Sequence, residues 1–313
     1  MKRPRKTALL FVAIGLVLYA GTYYAAERLM YRTGDSNPFF KIATAGDKPY
    51  DWMILGASHA MPLDFGDFNA EMERATGRRI LNLAAPGAGP LYNRFVLEHF
   101  LSRHRTANLL YVLDSFAFYS STWNEERFAD AKLLRRTPIE SALAWRFLEY
   151  SMHEGVDALA VLDYVSGFSK INNRERFRRD VWEGEAQFDR VHRPSDTADR
   201  KRIAYLYPAP EPDPAVFARY RAAFAALIAA ARHAGVRVVV IKMPVPARFH
   251  NLLPGEAAFD AAMAELLEGQ GVALHDLSLA MDEPRFYFDT DHLNRAGVTA
   301  FLADHLRPIL VEN

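Results

Sequence analysis

The sequence has no cysteine and no excess of charge of either sign. Its 313 residues contain 38 Lys and Arg against 38 Asp and Glu. The absence of cysteine excludes thiol catalysis, disulfide bonds and cysteine-ligated metal sites, and it is typical of an oxidising compartment. The absence of a net positive charge, and of a basic stripe interleaved with aromatic residues, argues against nucleic-acid binding. Half of the residues are hydrophobic, which is enough for one large α/β domain or two small ones.

The first thirty residues join a cationic start to a long apolar run. MKRPRK precedes TALLFVAIGLVLYAGTYYAA, which carries no charge. About twenty such residues cross a bilayer of about 30 Å as a helix. Basic residues are concentrated before this run, so the positive-inside rule places the N-terminus in the cytoplasm and the rest of the chain outside. A cleaved signal peptide is the alternative, but Leu18-Tyr19-Ala20 matches a cleavage site only loosely. We therefore favour an uncleaved anchor.

Short apolar runs alternate with amphipathic stretches in two parts of the chain. The predicted strands are 52–56, 79–85, 108–114, 236–244 and 271–278, and the predicted helices are 67–77, 91–104, 214–234, 255–269 and 294–312. The runs are continuously apolar, which indicates strands covered on both faces as in a parallel sheet. We predict a three-layer α/β fold with a doubly wound, mainly parallel sheet similar to that of flavodoxin.

The alternation stops between the third and fourth predicted strands. Residues 118–210 are rich in aromatic and charged residues, with one helix expected around 138–166. We interpret this segment as a mainly helical insertion that covers one end of the sheet. The predicted organisation is then an anchor over 1–30, a tether over 31–48 and a catalytic domain over 49–313.

Three polar or small residues lie at the carboxyl ends of predicted strands. Ser58 and Gly87 come just after the first and second strand, and Asp114 is the last residue of the third. Sites in doubly wound sheets form at the carboxyl ends of strands, so these residues are expected at one edge of the sheet. Asp114 is a candidate for substrate contact, or alternatively a cap for the following turn. Gly87 is required either by the turn alone or by a ligand that approaches its N–H.

The segment FYFDTDHLNRAG carries Asp289, Asp291 and His292 just before the last predicted helix. A serine hydroxyl needs a base to become a good nucleophile, and a histidine base needs a partner that fixes its tautomer. An aspartate three residues before a histidine at the start of a helix can turn back onto the imidazole. Asp289 and Asp291 both compete for this position.

Three segments together resemble the SGNH (GDSL-type) hydrolase superfamily. ILGASHA, NLAAPGAGP and DTDHLNRAG are similar to its first, second and last sequence blocks, and the resemblance covers residues 50–115 and 235–312. It implies that Ser58 is the nucleophile, His292 the general base and Asp289, rather than Asp291, the orienting acid. It also implies an oxyanion hole formed by the backbone N–H groups of Ser58 and Gly87.

Two departures from the superfamily narrow the expected function. Ala57 replaces the usual aspartate of the first block, and Leu113-Asp114-Ser115-Phe116 replaces the third block, which removes its side-chain oxyanion donor. With the N-terminal anchor, this pattern resembles the membrane-tethered SGNH-like proteins of cell-envelope acylation, such as the one that completes D-alanyl transfer to teichoic acids. Those proteins work beside a multipass membrane-bound O-acyltransferase.

The resemblance predicts an O-acyltransferase of the inner membrane, with a periplasmic domain that transfers an acetyl or similar group to an envelope polysaccharide. An esterase of the same fold and a non-catalytic partner of the membrane-bound acyltransferase are the alternatives. His59 is a second candidate for substrate contact. The arginines at 174, 176, 178 and 179 are interpreted as a solvated face, or alternatively as a contact for an anionic polymer. His233, His250 and His275 lack ligand-like spacing, so we expect no metal, and we expect no cofactor.

Overall fold

A computed structural model describes residues 3–34, 36–179, 181–209 and 213–312. The strands are β1 (Tyr50–Leu55), β2 (Ile80–Asn82), β3 (Thr106–Val112), β4 (Arg237–Lys242) and β5 (Ala273–Asp276). The helices are α1 (Arg3–Met30), α2 (Pro38–Thr44), α3 (Phe68–Thr76), α4 (Pro90–Leu101), α5 (Ala131–Leu134), α6 (Ser141–His153), α7 (Ala158–Ser166), α8 (Phe168–Ile171), α9 (Asp196–Leu206), α10 (Pro214–His233), α11 (Ala247–His250), α12 (Glu256–Gly269), α13 (Arg295–Phe301) and α14 (Arg307–Val311).

The five strands form one parallel sheet in the order β2-β1-β3-β4-β5. Successive side chains of a strand point to opposite faces, and both faces of the central strands are buried. On one face Ile54 and Leu110 join a core that includes Phe301 of α13. On the other, the Tyr111 ring lies 4.7 Å from the Phe224 ring of α10. Helices on both faces of a parallel sheet confirm the predicted fold class.

Two predicted helices differ from the observed ones. The helix expected around 138–166 is two helices, because the chain turns between α6 and α7 at Gly155, where φ is +78°. The last helix is continuous but contains a π-helical turn, Leu302–Leu306, between α13 and α14. Pro308 follows this turn and has no N–H to donate to the preceding turn, which accounts for the local change in hydrogen bonding.

The strand order creates a switch point between β1 and β3. The chain leaves β1 toward β2 on one side of the sheet and then crosses to β3 on the other, which opens a crevice at the carboxyl ends of these two strands. Gly56 ends β1 with a φ of +151°, and a Cβ there would lie 2.8 Å from the Cβ of Val112. Only glycine permits this close approach. The chain then turns into a short 3-10 helix, Ser58–Asp64, which starts with Ser58 at the crevice.

The chain divides into two compact units. One consists of Met1–Thr44 and Phe128–Asp180, the other of Ala45–Arg127 and Val181–Asn313. The whole sheet belongs to the second unit, and the predicted insertion 118–210 is shared between the two. Part of the predicted tether forms α2, in which Pro38, Phe39 and Ile42 are buried. The domain boundaries drawn from the sequence stay a prediction.

Among the residues that the structure describes, two helices are long and apolar enough to cross a membrane. In the segment Arg5–Met30 of α1, the most apolar stretch is entirely exposed. The other is α10, whose apolar residues include Tyr220, Phe224 and Leu227, all buried in the core of the sheet-containing unit. The burial of α10 is that of a core helix, whereas the N-terminal helix has the exposure expected of a membrane span or a signal sequence.

Candidate active site

Ser58, His292 and Asp289 form one continuous chain of hydrogen bonds. Ser58 Oγ lies 2.9 Å from His292 Nε2, and His292 Nδ1 lies 2.9 and 3.0 Å from the two carboxylate oxygens of Asp289. In the tautomer that this arrangement favours, the serine hydroxyl donates to Nε2 while Nδ1–H donates to the carboxylate. Ser58 and His292 are 234 positions apart in the sequence, and the fold brings them together.

A tight loop fixes the position of His292. An antiparallel bridge between Tyr287 and Leu293 closes the loop, and the Asp289 carboxylate accepts the backbone N–H groups of Asp291 and His292. The loop leads directly into α13, where the side chain of Asn294 caps the helix by accepting the N–H of Gly297. The Asp289 carboxylate therefore holds both the loop and the imidazole.

Asp291 does not make the orienting contact to His292. Its Oδ1 lies 3.6 Å from His292 Nδ1, and its shortest cationic contact is instead Arg202 Nε, 2.9 Å from Oδ2. Burial of Asp291 works against its charged form, but Arg202, His292 and His59 outweigh this effect and hold its pKa well below the usual range. Asp291 is thus a fully buried carboxylate behind the histidine, and its neighbours favour its charged form.

His59 forms a second histidine–carboxylate cluster beside the first. Its Nδ1 lies 2.5 Å from Asp114 and its Nε2 lies 3.2 Å from Asp291. Burial alone lowers the pKa of His59, but the two carboxylates outweigh it and raise this pKa to about 10. Asp114 directs its carboxylate to His59 and makes no side-chain cap to the turn that follows it. The site therefore holds a fixed imidazolium next to the Ser58 backbone.

Arg202 is the site residue that the sequence analysis missed. It extends from α9 to Asp291, and its Nη2 lies 3.5 Å from His292 Nε2, the atom that also contacts Ser58. Burial works against the charge of Arg202, but Asp291 more than compensates and raises its pKa. No motif surrounds Arg202 in the sequence, since α9 lies in a segment without strand–helix alternation.

Aromatic rings enclose the imidazole of His292. The Phe288 ring stacks on it at 5.5 Å with an interplanar angle of 6°, and Trp182 meets it edge-on at 5.2 Å. Ser58 and His292 are both buried. Exclusion of water strengthens every electrostatic interaction of these groups.

The predicted oxyanion donors lie on two different turns. The Ser58 N–H is at the first position of its 3-10 helix, where a helix offers no acceptor. Gly87 has a φ of +61°, and a Cβ there would lie 2.5 Å from the Trp123 ring. The turn therefore demands glycine by conformation and by space, and the role of its N–H in an oxyanion hole stays a prediction.

A small cavity of about 30 Å³ extends from His59 and Asp114. Phe116, Met243 and Val245 contribute apolar surface to its wall. The Oδ2 atom of Asp114 is buried and makes no hydrogen bond within the described part of the chain. A volume of this size holds about two water molecules or a group of similar size.

Within the described part of the chain, the structure brings together one group of potential metal ligands. Ligand atoms of His59, Asp291 and His292 lie within 4.8 Å of one another. Arg202 already pairs with Asp291, the pKa of His59 is raised to about 10, and both nitrogens of His292 already have protein partners. These three residues therefore fit a metal ion poorly.

Comparisons with known proteins add little to this geometry. No protein-family model matches the sequence, and no curated protein matches it. Among solved structures, the chain is similar to a protein from Bacteroides fragilis NCTC 9343 that is provisionally assigned as an acylhydrolase. The identity is 8%, the TM-score is 0.43, and the match covers 88% of this chain and 95% of the other. A likeness of this size does not extend to function.

Proposed function

We propose that the protein is a serine-dependent O-acyltransferase, anchored in the inner membrane, that acts on a cell-envelope polysaccharide through an acyl-Ser58 intermediate. The single observation that carries this proposal is the hydrogen-bonded chain from Ser58 through His292 to Asp289. That arrangement activates a hydroxyl for attack on an acyl carbonyl. The resemblance to membrane-tethered SGNH-like proteins supports the envelope role.

The first half-reaction loads the serine. Ser58 Oγ attacks the carbonyl carbon of an acyl donor while its proton passes to His292 Nε2. The tetrahedral oxyanion is stabilised by the N–H groups of Ser58 and Gly87. Its collapse breaks the bond to the donor's leaving group, which takes the proton from His292. Asp289 stabilises the imidazolium that exists between these steps.

The second half-reaction transfers the acyl group. A hydroxyl of the glycan gives its proton to His292 Nε2 and attacks the ester carbonyl. Collapse of the second oxyanion breaks the ester bond, and Ser58 recovers its proton from His292. Water in place of the glycan would give an esterase.

One feature supports the membrane part of this assignment. The exposed apolar stretch of α1, preceded by basic residues, supports a single span with its N-terminus in the cytoplasm. A multipass membrane-bound O-acyltransferase is the proposed partner and the polysaccharide the proposed acceptor.

A fluorophosphonate probe tests catalysis at Ser58 directly. We expect intact mass spectrometry of the full chain in detergent to show one adduct, which is lost in Ser58→Ala and strongly reduced in His292→Gln. Ser102→Ala is the matched control, because Ser102 bonds to the His99 carbonyl at the end of α4 and is not part of the site. An adduct that persists in Ser58→Ala contradicts the proposal, as does the absence of any adduct.

A second measurement separates transfer from hydrolysis. Acyl-Ser58, formed from an activated acetyl ester, is incubated with and without an envelope glycan. We expect the glycan to accelerate loss of the adduct and to gain the acetyl group. Release at the same rate with and without glycan identifies the protein as an esterase.

A further inference from the structure

We propose that the outer face of α7 and α8 lies in the lipid bilayer beside α1, so that the first unit enters the membrane with more than its anchor helix. This inference rests on the proposed membrane span but not on the proposed chemistry. All the residues that carry it belong to the first unit.

Direct contacts tie α7 and α8 to the apolar part of α1. The Tyr19 hydroxyl donates a hydrogen bond of 2.7 Å to the carbonyl oxygen of Ser166. The Tyr23 ring packs so closely on Gly167 that a Cβ there would lie 2.3 Å from it. The junction of α7 and α8 is therefore in contact with α1 at the depth of these two tyrosines.

The position of Tyr19 along α1 sets this depth. The uncharged run ends at Ala26, seven residues after Tyr19. At 1.5 Å per residue, this places Tyr19 about 10 Å before the end of a span that fills a hydrocarbon core of about 30 Å. The Ser166–Gly167 junction, if α1 spans the bilayer, then lies below the headgroups.

The surface of α7 and α8 near this junction suits hydrocarbon. Its exposed apolar side chains are Leu159 (68% exposed), Leu162 (62%), Val165 (49%) and Phe168 (63%). On α7 these residues recur every third position, opposite the buried Ala160 and Tyr164. A continuous apolar face of this kind is unusual on a surface exposed to water.

The charged groups of α7 and α8 are both bonded inside the first unit. Between Ala158 and Ile171 the sequence has only Asp163 and Lys170. Asp163 accepts hydrogen bonds from the N–H and hydroxyl of Ser169, and the buried Lys170 forms an ion pair with the partly exposed Glu27 of α1. Lys170 is therefore already removed from water, and the partly exposed Asp163 keeps its two hydrogen bonds to Ser169 when this face enters the bilayer.

The basic segment that follows α8 lies just beyond the end of α1. The buried Arg136 guanidinium donates to the carbonyl oxygens of Thr33, Glu175 and Arg178 and so joins this segment to the residues after Met30. If the membrane span ends near residue 26, the residues after Met30 and the segment joined to them lie at the depth of the lipid headgroups. Arg174 and Arg178 are exposed there, with Phe177 (78% exposed) between them. Arginine beside exposed phenylalanine is typical of binding to anionic membrane surfaces.

Lipid is favoured over a protein partner as the occupant of this face. Along α1, exposed apolar residues lie beside Tyr19 and Tyr23, and exposed arginines lie beyond Thr33. A bilayer has the same order, with hydrocarbon first and charged headgroups after it. Binding to a protein partner would not require apolar and basic residues to follow one another in this order.

The absence of cysteine makes the depth of single positions measurable. A cysteine introduced in the full chain by Val165→Cys or Phe168→Cys carries an environment-sensitive fluorophore, in vesicles of phosphatidylethanolamine and phosphatidylglycerol. We expect blue-shifted emission that is quenched by nitroxide-bearing lipid. Val191→Cys and Leu279→Cys are matched controls, since these aliphatic side chains are similarly exposed but belong to the other unit. Their labels should report water.

Leu16→Cys, in the centre of α1 and 65% exposed, separates the possible failures. If position 16 reports lipid while 165 and 168 report water, the proposal is wrong and the anchor stands. If position 16 also reports water, the span itself is wrong and the proposal is lost with it. If 165 and 168 report water in vesicles but are shielded in native membranes, a protein covers this face instead of lipid. None of these readouts depends on acyl transfer.

Discussion

The imidazole rings of His59 and His292 lie side by side, with their centroids 4.8 Å apart. Their nitrogen atoms nevertheless have different hydrogen-bond partners. His292 faces Ser58 on one nitrogen and a partly exposed carboxylate on the other. His59 faces a carboxylate on each nitrogen. One ring is therefore arranged to exchange a proton, and the other to keep both of its protons.

The two aspartates near His292 should respond differently to removal of their charge. Asp289→Asn is expected to slow probe labelling by about 10²-fold or more, because His292 loses the partner that fixes its tautomer. Its effect on stability should be small, since Asp289 is partly exposed. Asp291→Asn is expected to cost about 3–5 kcal/mol of stability, because it leaves buried cations without their carboxylate. Labelling rates and denaturant unfolding measure the two effects. Equal loss of stability in both variants would contradict this division.

The raised pKa of His59 should make the free energy of unfolding depend on pH. Its pKa is about 10 in the folded protein against 6.5 for an unperturbed histidine. Because protonation favours the folded state, its contribution is complete below about pH 6.5 and is lost as the pH rises through 10. We expect the free energy of unfolding in detergent to fall by a few kcal/mol over this window, and to fall less in His59→Gln. Parallel pH profiles for the two proteins would show that His59 is not held as a cation.

Arg202 should influence the reaction through charge and position. Its guanidinium lies 3.5 Å from His292 Nε2 and is held by Asp291. Arg202→Gln is expected to slow probe labelling about tenfold to a hundredfold, because the buried Asp291 carboxylate behind His292 loses its cation and the geometry around the base shifts. Arg202→Lys keeps the charge but loses the planar contact, so an intermediate rate is expected. Circular dichroism controls for folding. Unchanged labelling in a folded Arg202→Gln variant would contradict this role.

The elements that were predictable from sequence are those with a strong local signal. The apolar runs at 52–56 and 108–114 correspond to β1 and β3, and Gly56 marks the end of the first strand. The short blocks around Ser58 and His292 identified residues that lie within hydrogen-bond distance in the structure. Local sequence was sufficient because each block combines a strand end or helix start with the reactive side chain.

The parts of the site that were not predictable depend on tertiary packing. Arg202 and Asp291 are 89 positions apart, and nothing in the sequence around α9 signals their contact. Asp114 was recognisable as a strand-end residue, but its contact with His59 depends on how the turn after β1 meets the end of β3. The observed separation of α6 from α7 was missed because Gly155 is a single residue in a long helical pattern.

Gly87 should be intolerant of even the smallest side chain. Its positive φ disfavours any L-residue, and a Cβ would meet the Trp123 ring at 2.5 Å. Gly87→Ala is expected to lower the free energy of unfolding by about 1–3 kcal/mol. If the N–H of Gly87 binds the oxyanion, the variant should also be labelled more slowly than its loss of stability explains. Gly77→Ala is the matched control, because Gly77 has a φ of +68° but open space around its Cβ position. A similar loss of stability in both variants would show that backbone conformation alone, rather than the contact with Trp123, demands glycine.

The ion pair between Glu27 and Lys170 should determine the stability of the first unit. Lys170 is buried, and its ammonium contacts Glu27 Oε2, while Oε1 accepts the N–H of Ile139. Lys170→Met is expected to destabilise this unit by about 1–3 kcal/mol, because it leaves the largely buried Glu27 carboxylate, 15% exposed, without its cation. In the double variant Glu27→Gln/Lys170→Met no charge remains, so most of the loss should be recovered. Limited proteolysis of the segment 128–180 in detergent measures the effect, since cleavage follows the population of the opened state when reclosing is fast. If the double variant is cleaved as rapidly as Lys170→Met, this explanation is wrong. The loss of stability would then come from losing the attraction between Glu27 and Lys170, and not from leaving the Glu27 charge unpaired.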